Sequence, residues 1–361
     1  MSFLTKKFIA CGQTKCYNYF IAMNQKELVK FISFLLEKFS VFAPQDENGE
    51  IIIGKLATGK EKIIFDKPPF YPWKKFFVPE QECLLNFTGE TQSFPSPKNG
   101  EIVLFGLNIL DLKAILLYDS VFSNDPYYQI RRKNALIIAH NIIPPPENNL
   151  SLKQYNKEDL KNLPFDIFIE IAPPKYPPER DHPPGGKMLN AKYTLIAGSE
   201  KGKNILDDFG YKNHEYIKFE TPLKETGKNQ KLNVWRENLK NKHNQKIWDK
   251  LGKICLECGK CTIVCPTCFC FRIDDQAELA ENTGCRNRCW DSCFYSEFSE
   301  VAGGKKFLEN TAQRIHFWYF HKFARIPDEF SITGCIGCHR CHKVCPVEID
   351  IKKVLGEIEQ S

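Results

Sequence analysis

Two stretches of the chain repeat one spacing of cysteines. Cys255, Cys258, Cys261 and Cys265, followed by Pro266, read C-x2-C-x2-C-x3-C-P, and Cys335, Cys338, Cys341 and Cys345, followed by Pro346, read the same without a gap. A loop carrying a thiol at every third residue can wrap three corners of an iron–sulfur cubane. The x3 step then carries the fourth thiolate away from that loop, and proline stops further winding. Gly259 and Gly337 inside the runs allow backbone amides to approach inorganic sulfur, where hydrogen bonds tune a potential.

In proteins with two cubanes bound by this spacing, the fourth cysteine of each run serves the other cluster. The expectation is therefore one [4Fe–4S] cluster on Cys255, Cys258, Cys261 and Cys345, and a second on Cys335, Cys338, Cys341 and Cys265. Zinc prefers two separated C-x2-C pairs and suits the pattern poorly. Cys338-His-Arg-Cys341-His342 is formally a haem attachment signature, but that use would leave Cys335 and Cys345 idle and need export. His339 and His342 read as surface or supporting residues.

Five more cysteines lie close by. Cys268 and Cys270 follow the first run in CPTCFCF, and Cys285, Cys289 and Cys293 recur every fourth residue. On a helix that recurrence lines three thiols along one face. With Cys268 or Cys270 they would hold a third iron–sulfur cluster or a metal; the competing reading is small buried apolar residues. Cys11, Cys16 and Cys83 read as scattered free thiols.

The chain has 361 residues and 16 cysteines, a net charge of +6 and 42% hydrophobic residues. That composition suits a soluble globular protein of two or three domains. There is no basic stripe for nucleic acid, no run of about 20 apolar residues to cross a bilayer, and no apolar leader. A cytoplasmic protein is expected, and thirteen cysteines packed between Cys255 and Cys345 in a reducing compartment read as metal ligands. No GxGxxG follows a strand. Residues 198–204, GSEKGKN, fall one residue short of a phosphate loop and end in Asn.

These loops need a scaffold. Residues 1–233 read as a mixed α/β domain for partner docking, and 234–361 as an α-helical ferredoxin-like domain, an α+β organisation overall. Lys26–Ser40 has helical apolar spacing. Ile51–Ile53, Ile102–Phe105, Leu136–Ala139, Asp166–Ile171 and Tyr193–Ala197 read as strands, with Asp111–Asp119 helical after the second of them. Pro144–Pro146 and Pro173–Pro184 mark loops. The polar stretch Glu225–Asn244 leads to a helix at Lys246–Lys253. A further helix is expected over Phe307–Ala324, ending before Pro327, so that helical sequence joins the two runs.

CPTCFCF at 265–271, WDSCFYSEFSEVAGG at 290–304 and GCIGCHRCHKVCPVEIDI at 334–351 together resemble the iron–sulfur β subunit of soluble sulfhydrogenases and the related iron–sulfur subunit of anaerobic sulfite reductase. FFVPEQECLLNF, ending at Phe87, and DPYYQIRRKNALIIAH at 125–140 extend the resemblance loosely through the first domain. The resemblance implies a relay subunit in a hetero-oligomer, between a flavin- and NAD(P)-binding partner and a catalytic partner such as a nickel–iron hydrogenase or a sirohaem sulfite reductase. It also implies the eight cysteines of the two runs as cluster ligands. Where relatives have G-x-R-x-C-D this chain has Gly106-Leu-Asn-Ile-Leu110-Asp111, and where they have further cysteines it has HNIIPPPENN; Cys285 and Cys289 are additional to the pattern. Two other functions fit the same residues: a stand-alone iron–sulfur sensor or structural protein, and a terminal reductase with its own non-cubane centre at Cys268–Cys293.

Overall fold

The computed structural model describes residues 22–97, 100–142, 156–172, 191–227, 229–241, 246–278 and 282–360. Cys11, Cys16 and the proline-rich stretches at 144–146 and 173–184 lie outside them.

The first part of the chain builds a seven-stranded sheet. Its strands are β1 (Ser40–Glu47), β2 (Glu50–Lys55), β5 (Ile102–Asn108), β6 (Ala135–His140), β7 (Ile167–Ala172), β8 (Lys192–Ala197) and β9 (Glu215–Tyr216), in the order β2-β1-β5-β6-β7-β8-β9. The central pairings β1–β5–β6–β7 are parallel, and β2 and β8 join antiparallel. The five expected strands are all present. Parallel strands buried on both faces read as continuous apolar runs, as ALIIAH does.

Alternation along the strands separates two cores. Val103, Phe105 and Ile138 face the side covered by α1 (Gln25–Lys38) and α4 (Glu200–Phe209), with Phe31, Leu35 and Leu206. Leu104, Ile137 and Phe168 face the side of α2 (Ile109–Val121) and α3 (Pro126–Asn134), with Trp73, Phe77, Tyr118 and Tyr128. Asn108 caps the N-terminus of α2 in a capping box, its side chain accepting from the Asp111 N–H while the Asp111 carboxylate accepts from the Asn108 N–H. Asn108→Ala should lower stability by about 1–2 kcal/mol, measured by chemical denaturation; no change would mean that the buried cap contributes nothing.

The second part begins in the stretch expected to be polar connection. α5 (Gln230–Asn241) forms there, burying Leu232, Trp235 and Leu239. It packs with α6 (Lys246–Ile254), α8 (Thr311–Phe320) and α11 (Ile351–Gln360) around Trp248, Trp318, Tyr319 and Phe323. The helix expected over 307–324 starts later, after a small hairpin of β12 (Glu300–Val301) and β13 (Lys305–Lys306). It does not end before Pro327: a π-helical turn at His321–Arg325 leads directly into α9 (Ile326–Phe330). Pro327 stands in the first turn of α9, where a missing N–H breaks no bond.

The segment between the cysteine runs opens not with helix but with a β-hairpin, β10 (Phe271–Glu278) and β11 (Thr283–Trp290). It continues a sheet with β3 (Gln81–Thr88) and β4 (Thr91–Ser93), in the order β10-β11-β3-β4. This second sheet is therefore shared between the two parts of the chain. Beneath it Glu82 accepts from Arg131 at 2.6 Å and from Arg288 at 2.8 and 2.5 Å, all three buried, and Arg288 also pairs with Asp125.

Candidate metal centres

The two cysteine runs follow one backbone path. Glu257 and Gly337 both have positive φ, at 54° and 71°, and so do Gly259 and His339, at 69° and 60°. The last pair sits just before two matching short helices, α7 (Lys260–Ile263) and α10 (Arg340–Lys343). At Gly259 a side chain is also sterically barred, since a Cβ would lie 2.7 Å from the Tyr295 ring. The turns aim N–H groups at sulfur. Glu257 donates to Cys255 Sγ at 3.5 Å, Gly337 to Cys335 at 3.4 Å, and Ile349 to Cys345 at 3.3 Å.

Each run ends against the other. One cavity is lined by Cys255, Cys258, Cys261 and, from the second run, Cys345, with Cys341 also at its wall and Phe294, Ile315 and Trp318 around it. A second is lined by Cys335, Cys338, Cys341 and, from the first run, Cys265, beside Thr267, Trp318 and Lys322. Each cavity thus brings the first three cysteines of one run together with the fourth cysteine of the other. Trp318, Cys341 and Ile351 border both cavities. The thiols surround a volume instead of meeting at a point: among the described residues no three Cys, His, Asp or Glu side chains close on a single ion.

The donor set fits an iron–sulfur group. Burial pushes the Cys261 and Cys341 thiols up, and Cys335 up to about 12. Such sulfurs ionise when a metal replaces the proton. The two cavities differ in position. Cys258 is exposed, and beside it Ile254 and Leu256 are 45% and 61% exposed. Cys265 is buried, and Arg340, next to Cys338 and Cys341 in the chain, donates through Nε to Pro69 O at 2.8 Å, against the α/β part.

The five remaining cysteines of this region do not form a helical face. Cys285 and Cys289 lie on β11, where a four-residue step returns to one face of a strand, and Cys293 lies beyond its end. Cys285 is bonded to Cys83, Cα to Cα 6.0 Å, so Cys83 is not a free thiol. Antiparallel pairing of β3 with β11 brings the two together, a proximity the sequence separation of 202 conceals. Cys268 hydrogen-bonds to Cys265, Cys270 to Cys293, and Cys289 is buried in the shared sheet.

Two buried lysines beside the first run carried no sequence signal beyond their charge. Lys74 donates to Thr262 O at 3.2 Å and Cys268 O at 3.1 Å and lies over the Trp290 ring. Lys322, on the π-helical turn, reaches Cys265 itself. His339 and His342, expected at the surface or in support, lie edge to face at 5.2 Å, and His339 is buried.

Residues 254–349 match the family model of the 4Fe-4S dicluster domain. The chain is also 28% identical, over 356 residues that cover 94% of it and 98% of the relative, to the sulfhydrogenase 2 subunit beta of Pyrococcus furiosus. The resemblance to soluble sulfhydrogenase β subunits is thus borne out, with a 4Fe-4S dicluster domain at the C-terminus of a mixed α/β chain. No solved structure matches the chain. No helix among the described residues is long and apolar enough to cross a membrane.

Proposed function

We propose that this chain is the electron-transfer subunit of a hetero-oligomeric oxidoreductase and that it carries two [4Fe–4S] clusters. One would be held by Cys255, Cys258, Cys261 and Cys345, the other by Cys335, Cys338, Cys341 and Cys265. The observation that carries this reading is the pair of adjoining cavities, each lined by the first three cysteines of one run and the fourth of the other, with Cys341 bordering both.

The bound clusters supply one-electron redox chemistry, and the residues of the chain supply the rest. The turns at 257–259 and 337–339 present N–H groups to sulfur, Trp318 and Ile351 keep the space between the two sets apolar, and Lys74 and Arg340 tie both loops to the α/β part. The exposed rim of Ile254, Leu256 and Cys258 is the side from which an electron-exchanging partner approaches the first set. Similarity over nearly the full length to a chain named as the β subunit of a sulfhydrogenase supports partner subunits. The two kinds proposed, one that binds flavin and NAD(P) and a catalytic one of hydrogenase or sulfite-reductase type, are those the resemblance implies.

Anaerobic purification of the tagged chain from its own cells should bring down two further subunits in fixed ratio, one containing flavin and one holding a catalytic metal centre. An iron-loaded monomer with no redox partner would favour a stand-alone sensor and overturn the relay.

A further inference from the structure

Lys322 occupies an unusual position. It is 2% exposed, and its Nζ donates to Gly334 O at 2.9 Å, to Thr267 Oγ1 at 3.0 Å and to Cys265 Sγ at 3.4 Å. Its three protons are thereby used, one of them on a sulfur of the second cysteine set. Among the described residues no carboxylate lies within ion-pair distance of it. The other buried cations of the region are compensated differently: Arg340, which also reaches Cys338, has Asp111 at 3.7 Å, Arg314 has Glu257 at 2.5 Å, and Lys74 faces carbonyls and an indole.

The backbone is built to place this ammonium. The π-helical turn at His321–Arg325 interrupts an otherwise continuous α8–α9 helix, and the Gly334 N–H, one residue before Cys335, closes on Lys322 O at 2.8 Å. A Cβ on Gly334 would lie 2.8 Å from Lys322 Cα. Lys322 is thus clamped between Cys265 and the first turn of the second run, and π-helical insertions recur where a side chain must be aimed for function.

We infer that Lys322 is a potential-setting residue: its buried positive charge on Cys265 raises the reduction potential of the cluster that Cys265 would ligate. This rests on the two-cluster reading above. Reduction of a cubane adds one electron and no proton, so the cluster gains one negative charge, and a fixed cation in a low-dielectric site stabilises that product. Hydrogen bonds to ligand sulfur act in the same direction. Among the described residues no cation donates to a sulfur of the first set; Arg314, beside it, is spent on Glu257 and Leu308 O. The charge therefore biases an electron toward the interior cluster and away from the exposed rim.

The test is an anaerobic redox titration of the full chain, reduced with dithionite and followed by electron paramagnetic resonance, in Lys322→Met, Lys322→Gln and Lys322→Arg. With iron content equal to the parent's, Lys322→Met and Lys322→Gln should lower the midpoint of one cluster so that its reduced-to-oxidised ratio at fixed potential falls at least tenfold, about 59 mV for one electron. The other midpoint should stay, and Lys322→Arg should restore most of the shift. Unchanged midpoints in fully loaded Lys322→Gln would overturn the inference while leaving the two clusters standing. Loss of one cluster's iron in both neutral variants would assign Lys322 to holding the loop and would equally remove its potential-setting role. A parent chain free of iron would refute the cluster reading itself.

Discussion

Cys345→Ser is expected to extinguish the cluster of the first run, not of its own. Cys345 stands with Cys255, Cys258 and Cys261 around one cavity and is absent from the other, while Cys341, four residues earlier, borders both that cavity and the one that holds Cys265. Iron should fall from about eight to about four atoms per chain, as expected when one of two cubanes is lost. The surviving resonance signal should coincide with that of Cys255→Ser and differ from that of Cys335→Ser. Cys265→Ser should give the converse pairing. If Cys345→Ser resembled Cys335→Ser, each run would hold its own cluster, and the exchange of fourth ligands would be wrong. The experiment reads connectivity, since all of these variants remove a single thiol.

The largest effect on folding is expected at Glu82. Its carboxylate accepts from Arg131 and Arg288 beneath the shared sheet, and its side chain is 4% exposed. Glu82→Gln leaves buried Arg131 facing a neutral amide and Arg288 with Asp125 as its remaining carboxylate. Breaking a buried ion pair from one side costs about 3–5 kcal/mol because a charge stays desolvated without its partner. Anaerobic denaturation should show a loss of that size, and Glu82→Gln combined with Arg288→Met should recover part of it, the two groups sharing one network. Lys38 and Asp208 form an exposed pair at 3.0 Å; exposed pairs contribute about 0–1 kcal/mol, so Lys38→Met should change stability little. Equal effects at Glu82 and Lys38 would show that the buried network contributes no more to stability than an exposed pair.

The cysteine runs were legible because the wrapping of a cubane is local. Three thiols at every third residue, a positive-φ residue on either side of the middle one, and a closing proline are all properties of a dozen consecutive residues. The apolar strands were legible for the related reason that burial on both faces removes alternation, as in Ala135–His140. The β10–β11 hairpin was not. Its first strand, FRIDDQAE, is exposed along almost its whole length, so it offers neither helical nor strand periodicity, and the β3 strand that completes its sheet is about two hundred residues away. The four-residue step of Cys285, Cys289 and Cys293 suits a helix face and, for its first two members, one side of a strand. Only pairing with β3 decides between them, and the same pairing joins Cys285 to Cys83.

Lys322 and Lys74 illustrate a further limit. Nothing in KFAR or PWKKF distinguishes a buried ammonium from a solvated one, because what buries it is supplied by Gly334, Thr267 and Cys268 from elsewhere. Pro327 misled for the opposite reason. Proline forbids a helix interior but suits a first turn, and the π-helical turn before it converts the one into the other. The buried face of α5, at Leu232, Trp235 and Leu239, was available at helical spacing and was masked by the polar residues around it.

Iron and acid-labile sulfide, measured together on the anaerobically purified chain and accompanied by Mössbauer spectra, test the central claim most directly. Two four-iron cubanes predict about eight of each per chain and, in the oxidised 2+ state, all iron in delocalised mixed-valence pairs. Four iron atoms, zinc in their place, or eight titratable thiols at the positions of the two runs would contradict it.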